Sequence, residues 1–357
     1  MQDTDDVIVT RRGSAGLIRL NRPKALNSLT LPMIRSIAAA LETFAADPAI
    51  AGVIVSGEGE RGFCAGGDIR ALHASGRAGT DEAAVFWREE FLLNRMISEY
   101  PKPYVALMDG IVMGGGVGLS SHGSHRIVTG RTRLAMPETG IGYFPDVGAT
   151  WLLSRASGQL GTWLGLTGLV VGAADALHAG LADYCVAAER LPDLVERIVA
   201  LPAGTKDEDV HAIISADASV PAQGPLAANA ELIDRCFAYD EVKEMLAALA
   251  REPGDFAAET HAAIASRSPT SLKLTLRLLR AGRASHSLAE CLEREFGACL
   301  QMLRQPDFYE GIRAAVIDKD RNPVWSPSRV EDVDDAIIER FFRKPDKPLF
   351  ASGRPSA

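Results

Sequence analysis

Aromatic residues make up only 6% of the 357 positions, and no apolar run reaches the roughly 18 residues that a membrane-spanning helix needs. The chain is therefore not expected to span or bind a membrane. Cysteine is also sparse. Cys64, Cys185, Cys236, Cys291 and Cys299 are odd in number and include no CxxC pair. This argues against a disulfide framework or a structural zinc site and for a reducing compartment. Long basic runs are missing as well: 38 basic against 46 acidic residues give −8, so nucleic acid is not an expected partner. The start, MQDTDDVIVT, lacks the basic-then-apolar order of a signal peptide. The expected location is the cytoplasm, or the chain is an already processed mature form. The histidines are scattered, and the His122/His125 pair has no third ligand nearby in sequence, so no metal site is expected.

What is present is an ordinary globular composition, 47% apolar and 24% charged, long enough for a large core and two substructures. The first part alternates strand-like and helical runs. Asp6–Thr10 and Gly16–Leu20 predict a hairpin, and Gly52–Ser56, Tyr104–Met108 and Arg126–Thr129 predict further strands. Leu31–Ala46 carries Ile34, Ile37, Leu41 and Phe44 at helical spacing with Thr30 as its cap, and Asp81–Tyr100 reads as a second helix. This alternation predicts an α/β core. Past Leu201–Gly204 the strand signals fade. Val242–Leu249, Phe256–Ala265, Leu272–Leu279 and Leu288–Leu303 read as amphipathic helices, and the tail from Lys344 reads as loose. The expected organisation is residues 1–200 as a core carrying the active site and 201–357 as a mainly helical C-terminal region. A helical part of this kind can pack on its own core or on a second copy, so a homo-oligomer is compatible with the sequence.

Two segments carry the chemistry. Met113–Ser121, MGGGVGLSS, follows a strand-like run and opens a helix, a placement that aims backbone N–H groups and the positive end of the helix dipole at an anionic oxygen. Gly62–Asp68, GFCAGGD, is a second glycine-rich turn after a second strand. Two such donors from different strands are what an oxyanion hole requires. Met136–Gly148, MPETGIGYFPDVG, holds Glu138 and Asp146, each directly after a proline, with Ile141, Tyr143 and Phe144 between them as a candidate pocket wall. A carboxyl beside apolar rings has a raised pKa and can act as acid or base. The competing reading makes Asp146 the cap of a helix over Val147–Leu153. Gly116–Ser121 also partly matches a dinucleotide-binding fingerprint, with Glu138 20 positions after Gly118, but Ser121 stands where the third glycine belongs.

NRPKALNSL (Asn21–Leu29), GFCAGGDIR (Gly62–Arg70), the Gly114–Gly116 turn and Pro137–Glu138 resemble the enoyl-CoA hydratase/isomerase, or crotonase, superfamily. FWREEF (Phe86–Phe91), MPETGIGYFPDVG, Ser268–Leu279 and Asp307–Trp325 are most similar to its 3-hydroxyisobutyryl-CoA hydrolase subfamily. The resemblance implies a crotonase-like ββα superhelix core and an acyl-CoA thioester substrate, with coenzyme A entering as part of the substrate and no separate cofactor. It implies oxyanion donors at the N–H groups of Gly67 and Gly115, and a coenzyme A path along Lys24, Ala25, Leu26, Ala65, Asp68 and Ile69. Glu138 and Asp146 become catalytic, and Glu90, Gly115, Glu138 and Asp146 contact the acyl group. Hydratases of the superfamily carry a second glutamate, which falls at position 118, where this chain has Gly118. The implied reaction is hydrolysis of a 3-hydroxyacyl-CoA such as 3-hydroxyisobutyryl-CoA, a step of valine breakdown. The alternatives are an enoyl-CoA hydratase or isomerase, and a non-catalytic coenzyme A-binding protein on the same fold.

Overall fold

A repeated strand–strand–helix order runs through the first part of the chain in the computed structural model, which describes residues 6–350. Strand β1 (Val7–Arg12) pairs antiparallel with β2 (Ala15–Leu20), the expected hairpin, slightly longer on its inner ends. Then β3 (Gly52–Gly57) is followed by β4 (Gly62–Cys64) and the helix Ile69–Ala78. Next, β5 (Tyr104–Met108) is followed by β6 (Ile111–Met113) and the helix Gly115–Ser120. After these, β7 (His125–Val128) is followed by β8 (Arg133–Ala135) and the 3-10 turn Glu138–Ile141. The first strands of each step lie side by side and parallel in one sheet, and the second strands do the same in another. This is the expected ββα superhelix. The large sheet is completed by β9 (Tyr184–Val186), parallel to β7, and by β10 (Ala218–Ser219), antiparallel to β9.

The described residues form two compact units that interleave along the chain. One holds residues up to Gly67, Leu93–Ala135 and Val170–Ala228; the other holds Asp68–Leu92, Met136–Leu169 and the chain from Asn229. The change of character near residue 200 is a change along the sequence, and compactness divides the chain differently. In the first unit Leu17, Ile54, Val105, Leu107, Ile127 and Val186 on one sheet face bury against the helices Leu191–Val199 and Asp207–Asp217. The helix Leu31–Ala46 packs on β1 to β3, and Thr30 caps it as its sequence predicts, with Oγ1 accepting the Met33 N–H at 3.4 Å.

In the second unit the helix Pro269–Ala284 packs on Ala149–Ser154 and on Leu160–Thr167, every residue of which is buried. Val242–Leu249 is helical as expected, and Asp255–Ala265, Pro269–Ala284 and Leu288–Met302 extend or trim the other expectations by a few residues. The tail differs from its expectation as far as Phe350. Arg88 donates to the carbonyls of Lys347, Pro348 and Leu349, and Glu293 accepts the Leu349 and Phe350 amides. The remaining tail residues and the first five residues of the N-terminal segment lie outside the described residues. No helix among the described residues is long and apolar enough to cross a membrane.

Candidate active site

Three carboxyl groups separated in sequence are buried together in the second unit. Glu90 comes from the helix Glu82–Ser98, Glu138 opens the 3-10 turn Glu138–Ile141, and Asp146 lies in the loop that follows. Their exposures are 2%, 6% and 6%. Glu89, one residue along the helix from Glu90, is half-buried, as the roughly 100° step per residue predicts. The Glu138 turn is pinned from both ends. Thr139 Oγ1 donates to the Leu166 carbonyl at 3.2 Å, the Thr139 carbonyl accepts the Ser268 N–H at 3.1 Å, and Gly142 stops the turn at φ +69. The wall beside the acids is aromatic: Tyr143 stacks on Trp87 at 6.0 Å and on Phe144 at 4.7 Å, with Phe308 at 5.8 Å.

This environment sets the charge state. Burial raises Glu138 well above the usual carboxyl range, and the Asp146 charge raises it further. Burial raises Glu90 in the same way, with Asp146 and then Glu138 adding to it. Asp146 is pushed up from 3.8 to about 7 by burial, held back by the Tyr143 hydroxyl and by its own backbone amide. Carboxyls that raise one another in this way, with no cation among the described residues acting on them, cannot all ionise together near neutral pH, so they titrate as one set. Tyr143 Oη donates to Asp146 Oδ2 at 3.0 Å and lies 2.8 Å from Cys299 Sγ. Glu90 Oε1 and Glu138 Oε2 are buried without a hydrogen-bond partner among the described residues. Buried acceptors of this kind call for a reason, because an unmade hydrogen bond costs about 1–3 kcal/mol.

Asp146 does not cap the following helix with its side chain. That helix is Ala149–Ser154, and only the Asp146 carbonyl reaches it, accepting the Ala149 N–H at 2.8 Å. The capping acceptor is Glu295, from the helix Leu288–Met302, which takes the Gly148 and Thr150 amides at 2.7 and 3.0 Å. Sequence reasoning did not single out Glu295. Its signal is its place on the apolar stripe of that helix, between Leu292 and Phe296 on one side and Cys299 on the other.

In the first unit the two glycine turns lie against each other. A Cβ on Gly66, whose φ is +101, would stand 3.4 Å from the Gly115 nitrogen, and one on Gly116 would stand 2.3 Å from the Cys64 carbonyl oxygen. Only glycine allows this approach. Gly67 follows Gly66 directly, and Gly115 is the first residue of its helix, so its N–H has no acceptor within the helix. The turn through Lys24–Leu26 is knitted to the same segment: the Leu26 carbonyl accepts the Ala65 N–H at 3.0 Å, and the Gly66 carbonyl accepts the Leu29 N–H at 2.8 Å. Asn27, buried at φ +56, ties the turn to the Glu58 and Gly62 carbonyls, both at 3.0 Å. Lys24 and Ala25 are exposed on this turn. Asp68 and Ile69 fall in the second unit, at the start of the helix Ile69–Ala78. Gly118 is buried in the helix Gly115–Ser120, so the carboxyl cluster owes nothing to that position. His125 is buried, with Nδ1 3.0 Å from Ser124 Oγ and its ring stacked on Tyr184.

The enoyl-CoA hydratase/isomerase family model matches residues 15–342. A curated protein from Gallus gallus named 3-hydroxyisobutyryl-CoA hydrolase, mitochondrial, is 41% identical over 95% of this chain and 89% of its own length. A carnitinyl-CoA dehydratase structure from Mycobacterium thermoresistibile is 41% identical with a TM-score of 0.92, covering 98% of this chain and all of that one. An enoyl-CoA hydratase structure from Rhodobacter sphaeroides 2.4.1 is also 41% identical, with a TM-score of 0.87, covering 95% of this chain and 97% of that one.

Proposed function

The chain belongs to the enoyl-CoA hydratase/isomerase (crotonase) family, and from that premise we propose that it hydrolyses a 3-hydroxyacyl-CoA thioester, with 3-hydroxyisobutyryl-CoA as the substrate to test first. The observation that carries this reading is the buried set of Glu90, Glu138 and Asp146 in a chain that has glycine at 118. Adding water across a carbon–carbon double bond with the two-glutamate scheme needs a second carboxyl at 118, and glycine has no proton to give or take.

In the proposed reaction the N–H groups of Gly67 and Gly115 take up the negative charge that develops on the thioester oxygen. The Glu138 carboxylate attacks the carbonyl carbon, the carbon–sulfur bond breaks, and coenzyme A leaves as a thiolate that takes a proton from the buried acid set. Water then hydrolyses the glutamyl anhydride to the free acid. In the variant of this scheme Glu138 takes a proton from the water that attacks directly. Asp146 and Glu90 bond the 3-hydroxyl, which gives the unpartnered Glu90 oxygen a role and lets Asp146 share in proton transfer. A site built to bond a hydroxyl rejects analogues without it, by about 10⁴-fold in favourable cases. The exposed Lys24–Ala25 turn, with Leu26, Ala65, Asp68 and Ile69, is assigned to coenzyme A.

The free, buried cysteines fit a reducing compartment and keep a cytoplasmic location in the proposal; the curated relative's own name places that protein in mitochondria. The second reading, a hydratase, is favoured by the names of the two solved relatives. The deciding experiment mixes the protein with 3-hydroxyisobutyryl-CoA and follows free thiol with a colorimetric reagent, for wild type and Glu138→Gln. The expected result is thiol release that falls by several orders of magnitude in a variant with unchanged circular dichroism. Equal rates would remove Glu138 from the mechanism.

A further inference from the structure

One more buried acid near Asp146 has no role in the proposed reaction. Glu295 has no solvent exposure, and among the described residues the bonds to its carboxyl come from the segment just after Asp146. Oε2 accepts the Gly148 N–H at 2.7 Å, and Oε1 accepts the Thr150 N–H at 3.0 Å and the Thr150 hydroxyl. Between Asp146 and these donors the backbone is strained. Val147 sits at φ +54 and Gly148 at φ +78, and the left-handed region is a genuine outlier for a β-branched residue. Such conformations persist only where the surroundings over-determine them. The helix Ala149–Ser154 has no cap from its own N-cap residue, Gly148, so the constraint arrives from a distant helix.

We propose that Glu295 is a positioning residue for Asp146. By clamping the amides of Gly148 and Thr150 it holds the Val147–Gly148 turn in its left-handed form and so fixes the direction of the Asp146 carboxyl. Tyr143 holds the same carboxyl from the other side through its hydroxyl, so Asp146 is set by two anchors from opposite ends of its own loop. The inference rests on the preceding reading, in which Asp146 meets the substrate hydroxyl.

The test is a double-mutant cycle on thioester hydrolysis. Glu295→Gln keeps the shape but turns an NH2 group toward a donor, so at least one clamp bond is lost. It is compared with Asp146→Asn and with the double variant, on 3-hydroxyisobutyryl-CoA and on isobutyryl-CoA, which has no 3-hydroxyl. The expected result is a loss of at least 10-fold in kcat/KM on the hydroxylated substrate for each single variant. The double variant should be within about 2-fold of Asp146→Asn, and Glu295→Gln should change the isobutyryl-CoA rate by less than about 3-fold. If Glu295→Gln fails to fold, Thr150→Val removes only the hydroxyl bond and is expected to show a smaller loss with the same non-additivity. Multiplying losses, equal losses on both substrates, or an unchanged Glu295→Gln beside an impaired Asp146→Asn would overturn the positioning role and leave the hydrolase reading standing. An Asp146→Asn variant as active as wild type would end the role of Asp146 in that reading, and this inference with it.

Discussion

Asp146→Asn should make the protein more stable at pH 8 while making it a worse enzyme. Burial lifts the Asp146 carboxyl from 3.8 to about 7. A shift of about three pKa units corresponds to about 4 kcal/mol between the two protonation states. The sign follows from proton binding. An acid with the higher pKa in the folded state keeps its proton longer there, so stability falls as pH rises from the unfolded value through the folded one, and levels off above it. Asparagine is neutral throughout and can still accept the Tyr143 hydroxyl. The variant should therefore gain on wild type by up to about 1.4 kcal/mol for each pH unit between roughly 4 and 7. By pH 8 a net advantage of about 2–4 kcal/mol is expected. Urea unfolding of both proteins at pH 5, 6, 7 and 8 reads this directly, with thioester hydrolysis measured on the same samples. A stability difference that stays constant across that range, or one in which wild type gains as pH rises, would refute the claim that this acid is held in a strained, desolvated state.

Other outcomes follow from individual contacts. Tyr143→Phe removes a hydrogen bond that lowers the Asp146 pKa, so the Asp146-dependent limb of the pH–stability curve should move to higher pH; a downward move would contradict the assignment. Gly116→Ala would set a methyl group 2.3 Å from the Cys64 carbonyl oxygen, so the glycine turns must separate; a loss of about 1–3 kcal/mol in unfolding free energy is expected, together with a fall in turnover. Thr30→Ala removes the cap of the helix Leu31–Ala46 and should cost about 0.5–2 kcal/mol while leaving hydrolysis per folded molecule unchanged.

Elements with strong local periodicity were legible in the sequence. Leu31–Ala46 and Val242–Leu249 match their observed bounds because each carries one apolar stripe that buries on one side. The helix Leu160–Thr167 was not legible: it is buried all round, and a helix without a polar face shows no period. Strands β4, β6 and β8, of three residues each, are too short for alternation to register, so the second sheet stayed hidden although its glycine turns did not. Within the candidate site, Glu138 and Asp146 stood out through their prolines and the aromatic residues between them, and Glu90 through family resemblance. Glu295 did not, because its partners lie about 145 positions away and a lone glutamate in an amphipathic helix reads as surface. The burial that raises these carboxyls is a property of packing from several helices at once, which no single stretch of sequence displays.

The most direct measurement offers the purified protein 3-hydroxyisobutyryl-CoA and crotonyl-CoA side by side, recording thiol release and loss of enone absorbance for each. Thiol release from the hydroxylated substrate is expected, with little or no hydration of crotonyl-CoA. Rapid hydration of crotonyl-CoA without release of thiol from 3-hydroxyisobutyryl-CoA would contradict it.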